Sequence, residues 1–330
     1  MRINVSEILL QQECPLKRAL RYDGKKRKKS EFAGAFSRGS AFHKAAEMFL
    51  LGKGGDWKEA STWYGYMQHY IISTWDGATV NTKTFNTVLQ QCEWLSHWAS
   101  EMVKSEFFED FEILGVEVEG AFLLGLLMNR NRVFGMIDAV VRRRDDNAIF
   151  ALQWKTWTYG TAAEPTKGLA DKITQVKTSM HEATYRKITE GLIKKHKWEG
   201  WYAGTLLMVL RVITPNQKQG GKRDVSEAWN AHALCITEEW MERNLNLVGT
   251  AIDTNKEVKL VTASTPIDEW RDRIAFHEGS CLSFTGARCG FWDFCKNGVS
   301  MESGEFEDYD PLGHYDKKKG EKGRGKEGQI

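Results

Sequence analysis

The sequence predicts an α/β protein: one mixed central sheet flanked by helices, with a helical insertion ahead of the sheet. Three observations carry this. Apolar residues before Phe111 recur at three- and four-residue steps. After Gly115 the period drops to two. Beyond Leu169 a helical pattern alternates with short continuous apolar runs of the buried-strand type.

Each element follows from its own residues. A short amphipathic stretch opens the chain and then turns basic, with eight Lys or Arg between Leu16 and Ser30 against one acid, Asp23. Such a run reads either as a solvated loop or as an arm that contacts phosphate. A helix is expected after Gly39-Ser40, with Phe42, Ala45, Ala46, Phe49 and Leu50 on one face. Residues 52–110 form the insertion, dense in Trp and Tyr. Its stripe is Phe85, Val88, Leu89, Cys92, Leu95, Ala99 and Met102. Val116, Val118 and Gly120 then alternate with Glu117 and Glu119 as a strand. Asn129–Asn131 turns into VFGMIDAVVRRR, and Asp145-Asp146-Asn147 turns into AIFALQWKT, so three strands make an antiparallel meander. One helical period runs from Leu169 to Ile193. GTLLMVLRVI and AHALCIT read as strands, and Thr237-Glu238-Glu239 as a helix start.

The expected organisation is a single domain over residues 1–300 and a charged tail over 301–330. Glu302 to Asp310 has five acids and no base; Asp316 to Ile330 has six bases and three acids. Neither stretch offers enough apolar surface to fold alone. The 330-residue chain is 42% hydrophobic with a formal charge of +2, which excludes disordered and collagenous classes and leaves nucleic-acid binding to local charge. No apolar window reaches membrane length and the first residues are too polar for a secretory signal, so a cytoplasmic protein without a membrane partner is expected. The chain has no G-x-x-x-x-G-K-[ST] phosphate loop, no G-x-S-x-G elbow and no H-E-x-x-H pair.

Two sets of residues carry chemistry. Asp138 lies on the second strand of the meander, and Gln153 and Lys155 face one side of the third. Two oxygen donors beside a cation suit a divalent metal with an activated water, and a charged strand end is the plainer alternative. Of six cysteines, Cys92 and Cys235 read as core residues. Cys14, Cys281, Cys289 and Cys295 remain, and the spacing of the last three lacks the C-x-x-C pairs of structural zinc.

Seven segments in order then resemble the PD-(D/E)XK nuclease superfamily, in its RecB-like branch with four cysteines. They are SEILLQQECPLKRALRY, RGSAFHKAAEMFL, Glu119-Gly120-Ala121-Phe122, GMIDAV, QWKT, HEATY and CLSFTGARCGFWDFC. The branch includes cysteine-cluster nucleases of CRISPR adaptation and nuclease domains of bacterial recombination helicase–nucleases. The resemblance implies a restriction-endonuclease-like core and hydrolysis of DNA, exonucleolytic in style, with Mg²⁺ or Mn²⁺. It implies His43, Asp138, the amide oxygen of Gln153 and the carbonyl of Trp154 as metal ligands. Lys155 would orient or deprotonate the water, Glu119 would support the site, and Tyr185 would hold the lysine or the scissile strand. It also implies a [4Fe-4S] cluster on Cys14, Cys281, Cys289 and Cys295, clamping the termini, with zinc as the other metal to consider. DNA would meet the basic run at Lys25, Lys26, Arg27, Lys28 and Lys29, and recombination or replication proteins are the partners implied. Two positions depart from the pattern: Gln153 stands where an acid is usual, and His181 where the glutamine preceding Tyr185 is usual. The rival function is a nuclease-fold protein that binds nucleic acid or a complex without efficient cleavage.

Overall fold

The computed structural model describes residues 2–28, 34–74, 82–124, 131–157, 167–177, 179–212, 229–274, 289, 291–297, 299–303 and 306–308. These divide into two compact units. The first comprises residues 1–5 and 32–249, and the second residues 6–31 and 250–330.

The first unit is built on a six-stranded mixed sheet. Its strands are β1 (Arg2–Asn4), β3 (Phe111–Leu124), β4 (Asn131–Arg143), β5 (Ala148–Trp157), β6 (Trp201–Arg211) and β7 (Trp229–Leu234). The expected meander forms: β3 pairs β4 and β4 pairs β5, both antiparallel. β6 runs parallel to β5 after a helical crossover, and β7 returns antiparallel to β6. β1 lies parallel to β4 along Arg132–Phe134, whereas the β5 ladder begins at Ala139, so both occupy one edge of β4 in succession. Asp138 lies in that discontinuity, one residue before the β5 ladder.

Helices cover both faces. α3 (Gly34–Leu50), α4 (Ala60–Thr74) and α5 (Thr82–Lys104) share one core with Ala139, Val141, Phe150, Leu152, Trp154, Leu206, Met208 and Leu210. Aromatic rings fill it; Phe42 stacks on Trp63 and meets Trp154 edge-on, with centroids 5.7 and 5.6 Å away. The predicted α5 stripe is buried at Val88, Cys92, Leu95, Ala99 and Met102. On the other face, α6 (Leu169–Lys177) packs near Leu207, Val209 and Leu234, and α7 (Met180–His196) seats Ile188 over Gly120 and Gly135.

The second unit gathers α1 (Val5–Glu13) beyond its first residue, α2 (Pro15–Tyr22), the C-terminal part of α8 (Glu238–Ser264), α9 (Trp270–Arg273) and α10 (Trp292–Asn297). A two-stranded ribbon of β2 (Lys26–Lys28) and β8 (Phe306–Asp308) completes it. Pro15 opens α2 at a position where its missing N–H is harmless, which explains the break at Cys14. Arg18 is fully buried, paired with Glu7 and, at 2.5 Å, with Asp23. Asn255 Nδ2 also donates to Glu7, at 3.1 Å, and Thr262 Oγ1 to Asp23, at 3.2 Å.

Four expectations are corrected. α3 begins at Gly34, ahead of Gly39-Ser40, because nothing in that segment breaks a helix. The helix read over 169–193 is two, since Ser179 is extended (ψ 156°) and serves as the N-cap of α7. Cys235 is exposed beyond the end of β7, its thiol against the Ala203 carbonyl at 3.0 Å, and is not a core residue. Part of the expected tail is structured: Met301 and Phe306 are buried in the second unit's core, and β8 pairs with β2. Two apolar residues among the acids suffice to anchor it. The remainder of the tail, and Lys29, lie outside the described residues.

Candidate active site

The local geometry begins with a break in strand alternation. In a regular strand, residues four apart share a face. Val116 and Ala139 pair and pack against the α3–α5 core, yet Gly120 and Gly135, also a pair, lie under Ile188 of α7. Both strands therefore switch faces in between. At the switch Glu117 has φ +50°, a left-handed conformation that costs a residue with a Cβ about 1–2 kcal/mol. The flanking pairs Val116↔Ala139 and Val118↔Ile137 place Glu117 level with Asp138.

Asp138 is the hub. Its ladder to β5 has not yet begun, so the Trp154 N–H donates to Asp138 Oδ2 at 2.8 Å. Asp138 Oδ1 lies 3.5 Å from Nδ1 of His43, which α3 delivers beside its buried Phe42. Burial opposes charge on Asp138, but His43, the Lys155 ammonium and the Trp154 N–H outweigh it and hold the carboxyl below its usual range. Burial likewise works against a charged His43; Asp138 prevails, helped by Glu117, and raises its pKa. Lys155 is shifted the other way: burial lowers its pKa, with Asp138 opposing.

Gln153 is 1% exposed. Its Nε2 lies 3.0 Å from His181 Nδ1, and among the described residues its Oε1 has no hydrogen-bond partner. Burial, followed by the Lys155 charge, pushes the His181 pKa down to about 3, so the ring is neutral. The Tyr185 ring lies against that of His181, centroids 4.1 Å apart and planes tilted by 41°, and its hydroxyl donates to the Met136 carbonyl at 2.9 Å. Tyr185 thus tethers β4 two residues before Asp138.

The structure therefore brings His43, Asp138, Gln153, Trp154, Lys155, His181 and Tyr185 together inside the sheet, where the β4–β5 ladder ends. Glu119 pairs with Met136, two residues along from Asp138. Glu117, read in the sequence only as one alternating strand residue, is the first-strand acid level with Asp138. Two acids at i and i+2 gave alternation no means of choosing between them, and only the backbone reversal does so. Among the described residues no three His, Cys, Asp or Glu side chains form a metal-binding group. The available donors are instead one imidazole, one carboxylate, an amide oxygen and a main-chain carbonyl. A buried amide oxygen without a partner fits a hard divalent cation.

In the second unit, Cys14 is buried in the apolar cluster of Leu16, Leu20, Trp270, Phe291 and Phe294, and Cys289 and Cys295 pack against that cluster. Cys281 lies outside the described residues. In the basic segment Lys25 is exposed, and Lys26 Nζ pairs with Asp308 at 2.8 Å.

A mixed sheet between helical layers, with Asp138 and Gln153-Trp154-Lys155 where two interior strands part, defines a restriction-endonuclease-like α/β protein. The sequence model of the PD-(D/E)XK nuclease superfamily matches residues 2–185, more than half of the chain, and the chain belongs to that superfamily. No curated protein matches it. One solved structure, described as "Crystal structure of SSO0001", is 13% identical, covering 76% of this chain and 75% of that chain with a TM-score of 0.31. Among the described residues no helix is long and apolar enough to cross a membrane.

Proposed function

We propose that this chain is a divalent-metal-dependent deoxyribonuclease of the RecB-like branch that hydrolyses phosphodiester bonds as an exonuclease. The observation that carries the reading is the convergence of His43, Asp138 and Lys155 beside the unpartnered, buried oxygen of Gln153. His43, Asp138, Gln153 Oε1 and the Trp154 carbonyl would hold Mg²⁺ or Mn²⁺. Such a cation, when bound, supplies Lewis acidity and a more acidic water.

The remaining steps belong to the chain's own groups. Lys155, its pKa lowered by burial, takes or orients a proton of the attacking water and offsets phosphate charge. Tyr185 fixes β4 so that Asp138 keeps its position. Glu117 or Glu119 adds negative charge from β3. Lys25, Lys26, Arg27, Lys28 and Lys29 contact DNA phosphates without reading sequence. Cys14, Cys281, Cys289 and Cys295 hold a [4Fe-4S] cluster of structural role. Its support is that Cys14 is buried in one apolar cluster and the partly buried Cys289 and Cys295 pack against the same cluster, which limits solvent access to the three thiols.

Labelled single- and double-stranded DNA, incubated with the protein and with Mg²⁺ or Mn²⁺ in turn, tests the activity. Cleavage is expected, and Asp138→Ala and Lys155→Ala are each expected to reduce it about 100-fold or more while the circular dichroism spectrum is unchanged. The neutral Gln153 favours a second reading, a protein that binds DNA without cutting it. DNA binding with no cleavage in either metal would select that reading.

A further inference from the structure

A carboxylate presents two equivalent oxygens to a cation, so it needs no particular orientation. An amide does: its oxygen is a ligand for a hard cation and its amino group is not, and a half-turn of the terminal torsion exchanges them. Wherever an amide serves as a ligand, something must hold its amino end. Gln153 is enclosed, and its Nε2 lies 3.0 Å from His181 Nδ1. An amino group only donates, so Nδ1 must carry the lone pair and Nε2 of the ring the proton. With its nitrogen engaged, the amide keeps its oxygen for the site, and that oxygen has no partner among the described residues.

We infer that His181 is a positioning residue: its Nδ1 lone pair anchors the amino group of Gln153 and so presents the amide oxygen as the ligand. The inference rests on the proposed site, in which Gln153 faces the cation. His181 and Gln153 then act as one unit, the imidazole supplying the orientation that a carboxylate would not require. Tyr185, packed on the ring, helps to fix its plane. A partner that orients a metal ligand typically governs about 10–100-fold of metal affinity.

Two measurements on the full chain test this, neither depending on cleavage. Long-range ¹H–¹⁵N correlation in the unligated protein reads the His181 tautomer, with the signal assigned by its loss in His181→Phe. Protonation at Nε2 is expected; protonation at Nδ1 would overturn the inference, because the amide oxygen would then face the ring. Mn²⁺ binding is titrated calorimetrically without DNA for His181→Phe, alone and combined with Gln153→Glu. Alone, the change is expected to weaken binding about tenfold or more. On the Gln153→Glu background it is expected to have little effect, since either carboxylate oxygen can serve. Equal losses on both backgrounds, or no loss on either, would reduce His181 to a packing residue. If the phenylalanine variant fails to fold, the tautomer of the wild-type protein still decides, assigned through Gln153→Glu. Asp138→Ala separates the two proposals. Unchanged Mn²⁺ affinity there would remove the site itself, whereas its loss alongside an indifferent His181→Phe would remove only the inference.

Discussion

Glu182 follows His181 in α7 and turns away from the site into the protein, where it is 1% exposed. Tyr202 donates to its Oε1 at 3.1 Å and shares a 3.2 Å contact with Thr205. Burial pushes the carboxyl up from 4.5 to about 7, although these hydroxyls and Arg186 work in the opposite direction. The folded state therefore binds this proton more tightly than the unfolded chain. Its stabilisation is complete below the unfolded value and is lost as pH rises through about 7, a difference of about 3 kcal/mol. Glu182→Gln retains the acceptor and cannot ionise. The melting temperature of the wild type should fall between pH 5 and pH 8 more than that of the variant, and the variant should be the more stable at pH 8. Parallel melting curves would show that Glu182 escapes its burial by moving into water. Residue-scale chemistry was partly legible in the sequence, since period-two alternation placed Gln153 and Lys155 on one face. The buried acid at 182 was not, because a helix pattern shows which face is apolar and not which polar residue lies under it.

α7 carries His181, Glu182 and Tyr185, so its seat on the sheet matters to the site. Gly120 and Gly135 pair across β3 and β4, and Ile188 fills the space that their missing side chains leave. A Cβ on Gly120 would stand 2.2 Å from Ile188 Cγ2 and 3.3 Å from Leu192 Cδ1, an overlap that a β-branched side chain cannot turn away from. Gly120→Ala should therefore lift α7 and destabilise the fold by about 1–3 kcal/mol, read from the urea midpoint. Ile188→Ala in the same chain should recover part of that loss. An unchanged midpoint for Gly120→Ala alone would mean that the helix is not seated on the glycine pair. At this scale the meander was legible because its alternation is long. The break at Ser179 was not, since the apolar spacing of Ile173, Val176, Met180 and Thr184 continues through it. β8 is three residues long, and its partner β2 lies near the other end of the chain. No local pattern announces such a strand.

At the scale of the whole molecule, the second unit is assembled from residues 6–31 and 250–330, and both segments enclose charge and sulfur. The Arg18–Glu7–Asp23 group, bonded to Asn255 and Thr262, joins them through polar contacts, and the cluster around Leu16, Trp270 and Phe291 joins them through apolar ones. Joining two segments so far apart in sequence carries a loop-closure entropy that grows only slowly with the length between them, so one strong link there is an efficient device. The proposed iron–sulfur cluster is such a link, because Cys14 belongs to the first segment and Cys281, Cys289 and Cys295 to the second. Protein purified without oxygen should be brown and carry about four iron and four sulfide per chain. Cys14→Ala should lose the colour and lower the melting temperature, with the Asn255–Glu7 and Thr262–Asp23 bonds still holding part of the join. Cys92→Ala is the control, for Cys92 lies in the other unit's core, where burial pushes its thiol up to about 12 and keeps it from metal chemistry. Iron retained in Cys14→Ala, or colourless protein holding stoichiometric zinc, would leave the two segments joined by the Asn255–Glu7 and Thr262–Asp23 bonds and packing rather than by a cluster.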